Sequence, residues 1–264
     1  MELGLENKVI VVTGGASGIG EGIARNLLKE GAIVCILDNN REAQLKIETE
    51  WNAADGHLFY IITELTDKDQ CVAAFKKIIE KFEQIDGLVN NAGTNDGVGL
   101  EQGSYQKFIE SLDKNVGHYI TSTELALPQL KKTGGVIVNI CSKTAETGQG
   151  ETSGYAAANG ARLALTEDWA ASFAPDGIRV NAVVVAECWT PQYAWWVGKQ
   201  ENPEEKLNQI RAKIPLGNRM TSTEEIADMV LFLLSEKSSG LNGQLLHVDG
   251  GYVHLDRAIK PIRL

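Results

Sequence analysis

The feature that most restricts the fold is a set of apolar runs that do not alternate. KVIVVT (8–13), AIVCILD (32–38), LFYII (58–62), GVIVNICS (135–142) and IRVNAVVVA (178–186) are rich in Val, Ile and Leu throughout. A strand with one wet face alternates apolar and polar residues; a strand covered on both faces does not. Such strands build a parallel sheet with helices on each side. Parallel neighbours need long crossovers, and amphipathic stretches stand where crossovers are required. These are EGIARNLLKEG (21–31), REAQLKIETEW (41–51), DQCVAAFKKIIEKF (69–82), SGYAAANGARLALTEDWAASFA (153–174) and EEIADMVLFLLS (224–235). DGLVNNAG (86–93) and GQLLHVDGG (243–251) read as further strands. The expectation is a single doubly wound α/β domain over residues 1–264. Between 94 and 134 only a core helix carrying His118 is expected.

The stretch 187–221 breaks the βα rhythm and holds three of the five tryptophans. It is expected to form one or two helices over the sheet edge, a substrate lid, because loops at the C-terminal ends of parallel strands hold ligands.

The chain carries a net charge of −10. Nucleic acid and anionic membrane both call for clustered Lys and Arg, so neither is expected as a partner. No run approaches the ~20 apolar residues of a membrane span. The N-terminus is acidic where a secretory leader is basic. Cys35, Cys71, Cys141 and Cys188 are scattered, without zinc spacing, and read as buried free thiols. A cytoplasmic protein without a metal is expected.

The first strand runs into Thr13-Gly14-Gly15-Ala16-Ser17-Gly18-Ile19-Gly20 and then a helix. Glycines at 14, 18 and 20 permit a tight turn and close approach of backbone to a diphosphate. The unpaired N–H groups that open the helix favour negative charge there. Asp38 ends the second strand, where a carboxylate accepts hydrogen bonds from an adenosine ribose. Its charge would repel a 2′-phosphate, and no Arg or Lys precedes Gly18 in the loop. NAD is therefore expected over NADP.

Tyr155 opens an alanine-rich helix with Asn159 one turn on, so the two share a face. TGGASGIG, NNAG (90–93), Asn115, the spacing from Ser142 to Tyr155 and VDGG (248–251) together resemble the short-chain dehydrogenase/reductase family, in order along the whole chain. The resemblance implies a Rossmann domain with a seven-stranded parallel sheet, a nicotinamide cofactor and a homotetramer. By position it implies Tyr155 as general acid/base, Ser142 as the group that binds the reacting oxygen, and Asn115 as holder of a relay water. It places Gly14, Ser17, Gly18, Ile19, Gly20, Asp38, Glu64, Leu65, Asn91, Ala92, Gly93 and Thr190 on the cofactor, with Tyr155 and Asn159. A finer likeness, in NAGTNDGVGL (91–100), SKTAETGQGETSGY (142–155), AECWTPQY (186–193), ENPEEKL (201–207), KIPLGNRM (213–220) and DGGYVHLDRA (249–258), implies NAD-dependent oxidation of an L-fucose-like aldose. The alternatives are another alcohol or ketone, or a cofactor-binding homologue without meaningful catalysis.

Asn159 departs from the family, which has lysine there, and Val185 from its usual proline. Asn can hydrogen-bond a ribose but cannot lower the tyrosine pKa. A free phenol near pKa 10 is ionised to about one part in a thousand at neutral pH. A neighbouring cation lowers an acid's pKa by about 1–3 units. The tyrosine is therefore expected to be slow or to need high pH. Lys143 follows Ser142, but neighbouring strand-end side chains diverge. It reads better as a solvent-facing or substrate-contacting lysine than as a replacement charge. Asn95, Lys143, Thr144, Gln149, Glu187, Gln192, Trp195, His254 and Arg257 are the candidate sugar contacts. Glu187 is the most suggestive, since a carboxylate at the end of an apolar strand is costly without partners. His118 reads as structural.

Overall fold

The computed structural model describes residues 2–51 and 56–255. The strands are β1 (Val9–Thr13), β2 (Ile33–Asp38), β3 (Leu58–Ile62), β4 (Gly87–Asn90), β5 (Val136–Ser142), β6 (Arg179–Val185) and β7 (Leu245–Val248). They form one seven-stranded sheet in the order β3-β2-β1-β4-β5-β6-β7, and every pairing is parallel. The non-alternating strands are covered on both faces, as expected. All five residues of β1 are buried. Ile10 and Val12 join one core with α1 (Gly18–Lys29) and α9 (Thr223–Leu234). Val9 and Val11 join the other with α3 (Lys68–Phe82), α5 (His118–Thr133) and α6 (Ser153–Phe173). Winding reverses between β1 and β4, so their C-terminal ends open a crevice, the place where this topology binds ligands.

Three elements escaped the sequence pattern: α4 (Tyr105–Leu112), the π-helical turn Asp113–Gly117 and most of α5. The reason is physical. α5 contains Pro128 and buries Ser122, Thr123 and Gln129 beside Tyr119, Ala126 and Leu130, so its apolar stripe is broken. The π-turn widens the ladder at Asn115, which is fully buried; such turns frequently sit at functional sites. Past β6, α7 (Pro191–Gly198) and α8 (Pro203–Arg211) occupy the irregular stretch, matching the one or two helices expected there. Remaining in this layer is α2 (Arg41–Glu50), which carries Ile47 into the first core. The four cysteines are buried and free. Burial pushes the thiols of Cys35, Cys141 and Cys188 up to about 12, which leaves them unreactive. Among the described residues no helix is long and apolar enough to cross a membrane.

Candidate active site

A cleft of about 440 Å³ opens at the C-terminal ends of the central strands, within the usual range for a small-molecule site. Gly14, Ser17, Gly18, Ile19, Asp38, Glu64, Leu65, Asn91, Ala92, Gly93 and Thr190 all line it, together with Ser142 and Tyr155. Residues from seven separate segments of the chain thus converge on one space.

The loop after β1 is a backbone cradle. A Cβ on Gly20 would stand 2.0 Å from the Gly14 carbonyl oxygen, and one on Gly14, at φ +66°, would stand 2.9 Å from Ala92 Cα. Neither position tolerates a side chain, so the loop lies flat against β4. Asn91 fastens it: its Nδ2 donates to the carbonyls of Thr13 and Gly14, both at 3.0 Å. Asp38 closes the far end. Its carboxylate accepts from the Ala16 N–H at 3.1 Å and the Asn40 N–H at 3.0 Å. Glu64, just past the end of β3, also lines the cleft, and the Asn39 amide first, and Thr66 after it, hold its carboxyl below the usual range.

At the other end, β5 delivers Ser142 and α6 delivers Tyr155. Asn159 is fully buried beneath them and does not line the cleft. Its Oδ1 accepts from the Ser142 N–H at 2.9 Å, and its Nδ2 donates to the Tyr155 carbonyl at 2.9 Å. Asn115 is likewise behind the wall: Oδ1 accepts from the Thr94 N–H at 2.8 Å and Nδ2 donates to the Ser111 carbonyl at 3.0 Å. Thr190 caps α7 by accepting from the Tyr193 N–H, and a Cβ on Gly18 would touch its side chain at 3.4 Å. Val185, where proline was the family's choice, is buried and paired with Ser142 and Val248.

The expected sugar contacts divide. Lys143 is buried rather than solvent-facing, because its ammonium pairs with Glu187; both side chains are close to 10% exposed, at 9% and 12%. The second Glu187 oxygen accepts from the Tyr193 hydroxyl at 2.6 Å, and Lys143 Nζ lies 3.8 Å from the Tyr252 ring centroid. Glu187 therefore has the partners that its position demanded. Thr144 is buried. Gln192 lines the cleft and bonds Thr94. Asn95, Gln149 and Trp195 do not line it; Asn95 accepts from the Thr152 hydroxyl, Gln149 lies in an exposed turn, and Trp195 is 62% exposed with Lys199 over its ring. His254 and His247 form a chain with Glu146: His247 Nε2 to Glu146 at 2.7 Å, His254 Nε2 to His247 Nδ1 at 3.4 Å. Arg257 lies outside the described residues.

Sequence reasoning missed Lys114 and Arg162, which line the cleft, and took His118, which also lines it, as structural. Arg162 could have been found. It stands seven residues after Tyr155 and three after Asn159, on the same helix face. Burial, then the Arg162 charge, pushes the His118 imidazole down to about 3, so it is neutral.

A family model described as enoyl-(acyl carrier protein) reductase matches residues 14–253. The chain belongs to the short-chain dehydrogenase/reductase family. It is 32% identical to the 3-oxoacyl-(acyl-carrier-protein) reductase FabG of Thermotoga maritima, over 94% of this chain and 99% of that one. It is 34% identical to L-fucose dehydrogenase of Oryctolagus cuniculus, over 92% of this chain and 84% of that one. Among solved structures, Cj0485 dehydrogenase is 43% identical with a TM-score of 0.93, covering 98% of this chain and 99% of that one. Ligand-free aldohexose dehydrogenase of Thermoplasma acidophilum is 28% identical with a TM-score of 0.87, covering 99% and 100%. As a short-chain dehydrogenase/reductase the protein is an oxidoreductase of small-molecule substrates, in a family that binds NAD or NADP. The close-packed glycine loop, with the backbone of Gly14 and Gly18 on the cleft wall, fits a dinucleotide diphosphate.

Proposed function

We propose that this chain is an NAD-dependent dehydrogenase of an L-fucose-like aldose. One observation carries the reading: Ser142 and Tyr155 share a single cleft with the glycine cradle and Asp38. Asp38 supports NAD. A 2′-phosphate beside it would meet a carboxylate, and the loop offers no cation in return. Tyr193, on the cleft wall with Val185 and Ala186, donates its hydroxyl to the buried Glu187, itself paired with Lys143; that pair does not line the cleft, but a hydroxyl fixed by it supports a polyhydroxylated substrate. The names of the L-fucose and aldohexose dehydrogenase relatives point the same way.

In this reading bound NAD supplies the hydride acceptor. Ser142 Oγ holds the reacting hydroxyl, and Tyr155 Oη takes its proton while the C–H hydride leaves the anomeric carbon, so aldose becomes lactone. Asn115 holds the relay behind Tyr155, and Thr190 orients the carboxamide. The described segment 187–221, with α7 and α8, acts as the lid of one catalytic unit. The protein works in the cytoplasm as a homotetramer; free buried thiols suit a reducing compartment, and the family supplies the tetramer.

A second reading is a cofactor-binding homologue with little catalysis. It is favoured by Asn159, an uncharged residue turned into the core. Formation of NADH from NAD and L-fucose between pH 7 and 10, with NADP in parallel, separates the readings. Turnover with NAD and L-fucose is expected. Turnover only with another alcohol removes the sugar assignment, and tight NADH binding without turnover on any alcohol favours the second reading.

A further inference from the structure

Arg162 is a cation in an unusual place. It is 2% exposed. Its Nε donates to the Asn115 carbonyl at 2.8 Å, Nη1 to the Ile140 carbonyl at 3.2 Å and to Asn159 Oδ1 at 3.1 Å, and Nη2 to the Ala92 carbonyl at 3.3 Å. Nη2 also contacts the Asn115 carbonyl. Its carbon lies 4.3 Å from the centre of the Tyr119 ring. None of these partners is a carboxylate. A buried charge without a counter-charge is costly and is retained only where surrounding dipoles hold it. Its field acts on the groups around it, and the cleft wall to which it contributes carries Tyr155, two turns back along the same helix face.

Asn159 is the link. One amide oxygen accepts from both the Ser142 N–H and the Arg162 guanidinium. A lysine could not do this, because an ammonium has no acceptor. We propose that Arg162 is the positioning residue of the Ser142–Tyr155 pair, fixing Ser142 through Asn159 and presenting its charge to Tyr155 from beneath the cleft. The proposal rests on the hydride-transfer reading given above. It makes Asn159 and Arg162 a unit: a lysine at 159 would press a second cation against the guanidinium.

The other charged and titratable groups around this point do not supply the same field. Lys143, next to Ser142, is paired with Glu187, and Glu146 is bound to His247. Glu64, across the cleft, is bound by Asn39. Lys114 stands on the cleft wall but is exposed. On α5, His118 is neutral, and burial holds the Tyr119 hydroxyl protonated. The Cys141 thiol on β5 is protonated too.

The test is the ionisation of Tyr155 itself, read as the phenolate absorbance difference between the parent protein and Tyr155→Phe across pH 6 to 11, without substrate or cofactor. Arg162→Gln, which keeps donors and drops the charge, should raise the midpoint by about one unit or more, roughly tenfold less phenolate at a given lower pH. Arg162→Lys should restore it. The pH profile of NADH formation should move in parallel. A folded Arg162→Gln with an unchanged midpoint overturns the proposal and leaves Arg162 a structural clamp. Because the titration needs no sugar, a shifted midpoint beside a failed L-fucose assay would sink the substrate reading alone.

Discussion

The two ends of the cleft are built from different materials. Around β1, α1 and β2 the wall is mostly backbone: glycines without room for a Cβ, carbonyls tied by Asn91, and one carboxylate held by two N–H groups. Around β5, α6 and β6 the wall rests on buried charge: Arg162 among carbonyls, and Lys143 against Glu187. The first kind of site depends mainly on shape, with Asp38 as its charged group. The second depends on charges whose partners come from distant segments, and loses function when one partner is removed.

The largest test of this division is Tyr155→Phe. It should lower NADH formation by about 10²–10⁴-fold, the range for general acid–base help, while NADH affinity by fluorescence titration falls by about tenfold at most, the loss of one hydrogen bond. An equal fall in affinity would mean that the two ends are not separable. Next is Lys143→Met, which strands a buried carboxylate and should cost about 3–5 kcal/mol of stability in chemical denaturation. Adding Glu187→Gln should recover much of that loss. A double variant as unstable as the single would break the picture of a mutually dependent pair. On the backbone end, Gly20→Ala forces a Cβ into the Gly14 carbonyl. Overpacking of about 1–3 kcal/mol should weaken dinucleotide binding by roughly 5- to 150-fold, with the pH profile of turnover unmoved.

The smallest effect is an acid slope from His118. Its folded imidazole titrates at about 3, against 6.5 when unperturbed. On acidification the unfolded chain binds the proton first, so stability falls as pH drops from 6.5 toward 3. The slope from this one group is about 1.4 kcal/mol per pH unit at most. Denaturation at pH 7 and pH 5 should show a smaller difference for His118→Gln than for the parent. Equal differences would show that His118 is not buried neutral.

How much of this was legible beforehand follows the same division. Glycine spacing, the strand runs and Asp38 are local signals, and each lies where it was expected. Ser142, Tyr155 and Thr190 line the cleft on the evidence of family motifs in register. Helix α5 was harder to read because it buries Ser122, Thr123 and Gln129, so its core face is not apolar; Thr123 accepts from Asn90 on β4, and Gln129 accepts from Lys132 within the helix. Lys143 looked solvent-facing because its partner lies 44 residues on. Arg162 was passed over for a related reason: a basic residue on a helix usually faces water, and nothing nearby in sequence announces three carbonyls waiting for it.

The sequence by itself therefore determined the sheet, the winding and the cradle for a diphosphate, because backbone conformation and two-sided burial are set by residue type over short stretches. Only the tertiary structure decided which charges are buried and what answers them. Asn159 and Arg162 differ from solvated helix residues through Ser142, Asn115, Ile140, Ala92 and Tyr119, which other segments bring to them. The energy of a buried charge is a property of everything within a few ångströms of it, and that neighbourhood does not exist until the chain has folded.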